Sequence, residues 1–224
     1  MQTRHKALVT GGSRGIGQAI CRCLEEAGYE VHAPGREELD LSDPQSVEAF
    51  IQGNKDAGYD VLINNAGINE IALAEDILEE DLLRTMEVNL LGPIRLLRGL
   101  IPGMKKKGWG RIVNIGSIWG IVAKEGRLSY SATKHGIHGV TATLAMELAP
   151  YGILVNTLCP GLVRTALTEK NNTPEQIRGL SNMIPLGHLA EPDDIAQVAR
   201  FLVSPENRYI TGQQIVADGG YSVR

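Results

Sequence analysis

A tyrosine and a lysine four residues apart are the strongest candidates for acid–base chemistry in this chain. Tyr130 and Lys134 fall within a long helical pattern, so their side chains share one face of the helix. A free tyrosine has a pKa of about 10, which is too high for efficient proton transfer at neutral pH. A neighbouring ammonium favours the phenolate and lowers that pKa. The pair therefore predicts a phenol that exchanges a proton with a carbonyl or alcohol oxygen.

A glycine-rich segment near the N-terminus is the second candidate site. Residues 10–17 read Thr-Gly-Gly-Ser-Arg-Gly-Ile-Gly and join a predicted strand to a predicted helix. Glycines let the backbone approach a pyrophosphate, and the first turn of a helix offers free N–H groups to its phosphates. A simple turn would have the same composition, but the position at the first strand-to-helix junction favours dinucleotide binding. The expected contacts are Gly11, Ser13, Arg14, Gly15, Ile16 and Gly17.

The elements that must position these residues alternate between strand and helix along the whole chain. The predicted strands are Lys6–Thr10, Tyr29–Ala33, Val61–Asn64, Arg111–Ile115, Leu154–Leu158 and Gln214–Val216. The predicted helices are Gly17–Ala27, Glu79–Gly99, Leu100–Lys107, Tyr130–Leu148 and Pro192–Leu202. Such alternation predicts an α/β fold of the Rossmann type, a doubly wound parallel sheet with helices on both faces. We expect one dinucleotide-binding and catalytic domain over residues 1–224.

The segment after the second predicted strand is unusually short. Only residues 34–38 precede the apolar Leu39-Asp40-Leu41 run, whereas a parallel crossover needs about a dozen residues or more. A helix does not fit into residues 34–38. The fold is therefore expected to be shortened between strands 2 and 3: the next strand is either very short and at the sheet edge, or missing.

Composition and charge exclude several classes of function. The formal net charge of −4 gives no basic footprint for nucleic acid, and the one dense basic run, Lys105–Lys107, suits a solvated helix end. Cys21, Cys23 and Cys159 form no disulfide framework. No apolar stretch is long enough for a signal peptide or a membrane span. We therefore expect a cytoplasmic protein with no membrane partner, and no motif predicts a metal site.

The spacing Thr-Gly-x-x-x-Gly-x-Gly of residues 10–17 resembles the short-chain dehydrogenase/reductase family. Further markers follow in that family's order: Asn64-Asn65-Ala66-Gly67, Asn89, Ser117, Tyr130-x-x-x-Lys134, Pro160-Gly161 and Asp218-Gly219-Gly220. The resemblance covers essentially the whole chain. It implies an enzyme that moves a hydride between a nicotinamide cofactor and a ketone or secondary alcohol.

The resemblance also implies a role for each catalytic marker. Tyr130 would be the general acid/base, its pKa lowered further by an oxidised nicotinamide, and Ser117 would polarise the substrate oxygen. Lys134 would also bind the nicotinamide ribose. Asn89 would hold a water that links Lys134 to solvent, although an asparagine within a helix often marks a kink instead. The implied cofactor contacts beyond the glycine turn are Asn65, Ala66, Gly67, Pro160, Gly161, Val163 and Thr165.

The preferred cofactor is predicted from the end of the second strand. Family members that prefer NAD usually carry an acidic residue there. This chain has Gly35 followed by Arg36, and Arg14 is a second cation in the glycine turn. Because an arginine binds a phosphate bidentately, we expect NADP(H) to be preferred, with NAD(H) as the alternative. Arg36 as a solvent residue is the competing interpretation, and Asp40 matches the family acid near the adenine.

The substrate is left open by the sequence. Residues 165–187 are expected to form a partly helical lid. The segments 184–187 and 210–213 are similar to 3-oxoacyl-carrier-protein reductases, and Lys105–Lys107 could meet an acidic carrier. Tyr151, however, stands where those reductases often have a basic residue. Other ketones, sugars and secondary alcohols stay open.

Two further questions concern the class and assembly of the protein. A non-catalytic nucleotide sensor or scaffold can use the same fold, but the presence of Tyr130 and Lys134 favours an enzyme. By family analogy we expect a homotetramer in which the helices Glu79–Gly99 and Tyr130–Leu148 pack across one interface and the C-terminal region packs across another.

Overall fold

The structure is a computed structural model of the chain, and it describes residues 4–165, 168–169 and 173–223. All described strands are parallel and form one sheet in the order β2-β1-β3-β4-β5-β6. The strands are β1 (Lys6–Val9), β2 (Glu30–His32), β3 (Val61–Asn64), β4 (Gly110–Ile115), β5 (Ile153–Pro160) and β6 (Gln214–Ala217). Each predicted strand is present, with bounds that differ by at most two residues.

Helices cover both faces of this sheet, as predicted. They are α1 (Gly15–Glu26), α2 (Pro44–Asn54), α3 (Glu79–Met86), α4 (Gly92–Lys107), α5 (Leu128–Leu148), α6 (Pro174–Asn182) and α7 (Pro192–Val203). Successive strand side chains point to opposite faces. In β1, Ala7 and Val9 pack with α1 and α7, whereas Leu8 packs with α2, α4 and α5. The two resulting aliphatic cores fit the doubly wound arrangement.

The sheet order places a crevice between β1 and β3. The β1–β2 connection runs through α1 on one face, and the β2–β3 connection runs through α2 on the other face. Such a switch point opens at the carboxyl ends of the two central strands. The glycine turn after β1 and the residues after β3 therefore meet at one edge of the sheet.

The chain between β2 and β3 contains a helix that the sequence analysis did not predict. Among the described residues, strand β2 pairs with β1 alone and forms the sheet edge, so the next strand is missing there, which is one of the two alternatives. Helix α2 begins at Pro44, and the Asp43 carboxylate accepts a hydrogen bond of 2.9 Å from Gln45 N. This aspartate–proline start is a common helix signal. It was readable from the sequence.

The boundary predicted between Gly99 and Leu100 is wrong. Helix α4 runs unbroken through both residues, and the interruption lies earlier, at a π-helical turn, Glu87–Leu91. A Cβ on Gly99 would lie 2.5 Å from Ile51 Cγ2, so this glycine allows α2 and α4 to approach closely and is not a helix stop. Single π turns within helices are frequently found at functional sites.

The lid predicted over residues 165–187 is helical in part. Thr173 and Gln176 form a reciprocal capping box at the start of α6. Residues 166–167 and 170–172 of the predicted lid lie outside the described residues. Across the described ranges, none of the helices combines the length and apolar character needed to span a bilayer.

Candidate active site

The glycine turn after β1 is held by the segment after β3. Gly11 and Gly15 have φ values of +66° and +55°, a region that favours glycine. A Cβ on Gly17 would lie 2.2 Å from Gly11 O, so α1 can begin this close to the turn only with glycine there. Asn65 Nδ2 donates to Thr10 O at 3.0 Å and to Gly11 O at 3.1 Å. The turn is therefore fixed before any ligand arrives.

A cavity of about 580 Å³ opens at this edge of the sheet. The predicted contacts that line it are Gly11, Ser13, Arg14, Gly15, Ile16, Gly17, Arg36, Asp40, Asn65, Ala66, Gly67 and Thr165. Ile68, Arg84 and Val88 also line it, and the sequence analysis missed them because no motif marks them. A Cβ on Gly15 would lie 3.5 Å from Thr165 Cγ2, an ordinary contact distance, so Thr165 lies close to the glycine turn. This size and backbone shape fit a dinucleotide.

Arg36 and Asp40 form an ion pair at the outer end of the cavity. Arg36 Nε lies 2.9 Å from Asp40 Oδ2, and the Arg36 side chain is 79% exposed. The contact uses Nε, so the terminal nitrogens of Arg36 can still face an anion. Burial raises the pKa of Asp40, but hydrogen bonds from Ser42 and Arg36 outweigh it and hold that pKa below its ordinary value. Asp40 is therefore ionised and fixed in place.

Ser117 and Tyr130 meet at the start of α5. Ser117 Oγ accepts a hydrogen bond of 3.2 Å from Trp119 N, which fixes the turn that follows β4. A Cβ on Gly120 would lie 2.8 Å from Lys134 O, so this turn packs directly on α5. Burial raises the pKa of Tyr130 above its ordinary value, although the Ser117 side chain and the charge of Arg127 act to lower it. This direction is opposite to the lowering that the Tyr130–Lys134 pair predicts.

Lys134 lies one turn beyond Tyr130 and is buried, with 5% of its surface exposed. Its Nζ donates to Ile115 O at 2.7 Å and lies 5.5 Å from the centroid of the Tyr130 ring. Burial lowers the pKa of Lys134 to about 8. The charge of Arg127 also acts on the phenol and lowers its pKa. The lowering by Lys134 stays a prediction.

Asn89 occupies the π turn between α3 and α4. Its Oδ1 accepts from Ile68 N and its Nδ2 donates to Ile68 O, both at 2.8 Å. A Cβ on Gly67 would lie 3.3 Å from Asn89 Oδ1 and 3.7 Å from Lys134 Nζ. Asn89 therefore ties the segment after β3 to the helix pair, and the backbone at Gly67 lies between Asn89 and Lys134.

The loop after β5 forms another wall near the predicted site. Gly161 N donates to Ala217 O at 2.9 Å, and a Cβ on Gly161 would lie 2.6 Å from Asp218 Cα. Val163 is buried and pairs with Ala190 in an isolated β-bridge. Seven predicted site residues do not line the 580 Å³ cavity: Asn89, Ser117, Tyr130, Lys134, Pro160, Gly161 and Val163.

Comparisons with known proteins agree with this geometry. A family model described as Enoyl-(Acyl carrier protein) reductase matches residues 33–222. The chain is 38% identical over 234 residues to the 3-oxoacyl-[acyl-carrier-protein] reductase FabG of Vibrio cholerae, and the match covers 96% of each chain. The chain belongs to the short-chain dehydrogenase/reductase family. The resemblance found in the sequence is thereby confirmed.

Other members of the short-chain dehydrogenase/reductase family are similar over their full length. The D-beta-hydroxybutyrate dehydrogenase of Rhizobium meliloti is 34% identical over 255 residues, covering 97% of this chain and 98% of that protein. A crystal structure from Agrobacterium tumefaciens, provisionally assigned as a 2-deoxy-D-gluconate 3-dehydrogenase with bound NADP, has a TM-score of 0.91 at 34% identity. That match covers 98% of this chain and 97% of the other.

Proposed function

We propose that this short-chain dehydrogenase/reductase interconverts a ketone and a secondary alcohol with NADP(H), using Tyr130 as general acid/base. The position of Tyr130 beside Ser117, with the buried Lys134 Nζ 5.5 Å from the centroid of the Tyr130 ring, carries the proposal. Nicotinamide, when bound, supplies or accepts the hydride. In the reducing direction the Tyr130 hydroxyl gives its proton to the carbonyl oxygen, and in the oxidising direction it takes the alcohol proton.

The other catalytic residues prepare this proton transfer. The Ser117 hydroxyl donates a hydrogen bond to the substrate oxygen, where negative charge develops during reduction. Lys134, with a pKa near 8, can hold or release a proton in the physiological range, and it would bind the nicotinamide ribose. Asn89 keeps the backbone at Gly67 beside Lys134 and completes the path by which a proton reaches solvent.

We propose that Arg14 and Arg36 favour NADP(H) over NAD(H). Both line the cavity, and Arg36 lies at the turn after β2, where NAD-preferring enzymes use an acid. The NADP in the related crystal structure supports this assignment. Pro160, Gly161, Val163 and Thr165 would contact the nicotinamide half, and Asn65, Ala66 and Gly67 the adenosine half.

A 3-oxoacyl thioester on an acidic carrier is a second substrate candidate. The similarity to FabG supports it. Lys105, whose Nζ lies 4.5 Å from the centroid of the Tyr151 ring, is a cation that would meet such a carrier. Lys107 contributes less to such a surface, because its Nζ is held by Asp60 Oδ1 at 2.5 Å.

We also propose that the protein is a cytoplasmic homotetramer. Its three cysteines are free thiols, as expected in a reducing compartment. Large apolar side chains are exposed near and on α3 and α5 and, separately, around β6. They are Leu78, Leu83, Leu128 and Met146 in the first group and Tyr209, Val216 and Val223 in the second. Light scattering tests the assembly.

The proposed function is tested by oxidation of NADPH and NADH against a panel of ketones, with Tyr130→Phe as the key variant. We expect kcat to fall roughly 10²- to 10⁴-fold, the contribution typical of a positioned acid. The control is Tyr29→Phe, a tyrosine outside the candidate site whose hydroxyl donates to Val203 O at 3.3 Å.

Activity that is unchanged in Tyr130→Phe would refute the mechanism, and a preference for NADH would refute the cofactor assignment. Tight cofactor binding without turnover of any ketone would favour the nucleotide-sensing alternative.

A further inference from the structure

Arg127 is a half-buried cation at the entrance to α5, three residues before Tyr130. Its backbone is fixed on two sides. Arg127 O accepts a hydrogen bond of 2.7 Å from Ser131 N, and the residue pairs with Ala72 in a parallel bridge. The side chain therefore starts from a defined position beside the catalytic tyrosine.

The guanidinium of Arg127 has no partner among the residues that the structure describes. Its Nε is buried without a hydrogen bond, and its one resolved charge interaction is with the Tyr130 phenol. Several other arginines of the described chain pair with carboxylates, as Arg84 does with Glu70. Arg111 also has a buried Nε without a partner, but its terminal nitrogens donate to backbone carbonyl oxygens. A buried polar group without a partner is rare and points to a strained or functional position.

We propose that Arg127 binds a carboxylate of the substrate, so that the enzyme acts on a ketone or secondary alcohol that carries a free carboxylate. This inference rests on the proposed function, because Tyr130 must contact the reacting oxygen. An arginine offers a planar fork that binds a carboxylate through two parallel hydrogen bonds. With Arg127 one helical turn from Tyr130, the carboxylate and the carbonyl belong to one short molecule, as in 3-oxobutanoate.

A thioester or a neutral ester lacks this anion. Binding such a substrate would leave the terminal nitrogens of Arg127 without an anion. Sites built around a polar group discriminate strongly against analogues that cannot pair with it. Arg127 would thus make the enzyme select free oxo acids over 3-oxoacyl thioesters, which are the second substrate candidate under "Proposed function".

The test compares 3-oxobutanoate with its methyl ester, which has the same ketone, in wild type, Arg127→Gln and Arg127→Lys. We expect kcat/KM for the acid to fall roughly 10- to 100-fold more than for the ester in Arg127→Gln, the range for one lost charged hydrogen bond. Arg127→Lys should recover part of the loss. Because Arg127 also affects the pKa of Tyr130, only the acid-to-ester ratio is diagnostic. Lys124→Gln, which removes an exposed charge from the same loop, is the control.

A second measurement does not depend on turnover: calorimetric binding of 3-hydroxybutanoate to the enzyme–NADPH complex. Wild type should bind it at least 10-fold more tightly than Arg127→Gln does. An equal fall for acid and ester, or equal binding by both proteins, would overturn the assignment of Arg127. Binding that depends on Arg127, without reduction of either ketone, would instead overturn the proposed function while the anion site stands.

Discussion

The two ends of the candidate site differ in burial and in the partners of their side chains. At the catalytic end, Lys134 is 5% exposed and Asn89 is 3% exposed, and both hydrogen-bond to the backbone of neighbouring strands or loops. At the adenosine end, Arg36 is 79% exposed and makes one ion pair with Asp40. The catalytic end is thus part of the folded core, whereas the adenosine end is a charged surface on a short turn.

This difference separates two kinds of consequence. A substitution at the catalytic end removes buried hydrogen bonds and affects stability together with activity. A substitution at the adenosine end changes an exposed charge, so it alters affinity and salt dependence with little effect on the fold. The following predictions test that contrast, beginning with the largest effect.

Asn89→Ala should have the largest effect of the three. It leaves the N–H and C=O groups of Ile68 without their side-chain partner and loosens the π turn that carries the residue. We expect kcat to fall roughly 100-fold and the free energy of unfolding to fall by about 1–3 kcal/mol. Steady-state kinetics measure kcat, and urea unfolding measures the free energy of unfolding.

The matched control is Thr85→Val, at a buried position one turn earlier whose hydroxyl has no hydrogen-bond partner in the described structure. Thr85→Val should have little effect on kcat or on the free energy of unfolding. If Asn89→Ala altered kcat with no loss of stability, the catalytic end would not be coupled to the core in this way.

Arg36→Ala should have an intermediate effect that is confined to the cofactor. We expect KM for NADPH to rise roughly 10-fold, the loss of one charge-assisted contact, while KM for NADH stays nearly constant. The difference in KM for NADPH between wild type and Arg36→Ala should shrink as ionic strength rises. Arg98→Ala is the control, because Arg98 is similarly exposed and weakly paired with Glu48 but does not line the cavity. A comparable change in Arg98→Ala would show a general charge effect.

The third expected effect is gradual: a pH dependence of stability caused by Lys134. Its pKa is about 8 in the folded chain against an ordinary value of 10.5, so between these values the unfolded chain binds a proton that the folded chain does not. The contribution of Lys134 to stability therefore rises with pH in that window and is constant below pH 8. Relative to Lys134→Met, wild type should gain up to about 1.4 kcal/mol per pH unit.

Urea unfolding of both proteins at pH 7.5, 8.5 and 9.5 measures this difference, because the other titrating groups cancel. A difference that stays constant across the series would contradict a lowered pKa for Lys134.

Much of the fold could be predicted because it depends on local rules. The strand and helix patterns predicted the doubly wound sheet, and the short segment after β2 pointed to the lost edge strand. Helix α2 was missed although Asp43 and Pro44 marked its start, and Gly99 was misread as a boundary. The role of Gly99 depends on Ile51, which is distant in sequence and meets it only across the packed helices.

In the candidate site, too, some features follow from the sequence and others only from the folded chain. The types and order of Ser117, Tyr130 and Lys134 were sufficient to predict a family and its chemistry, because the spacing of a motif can be read directly from the sequence. The charges that act on those groups were not accessible in that way. Burial and neighbours that are distant in sequence set a pKa. Only the folded chain could therefore reveal that burial lowers the pKa of Lys134 and that Arg127, whose Nε has no hydrogen-bond partner, lies beside the Tyr130 phenol.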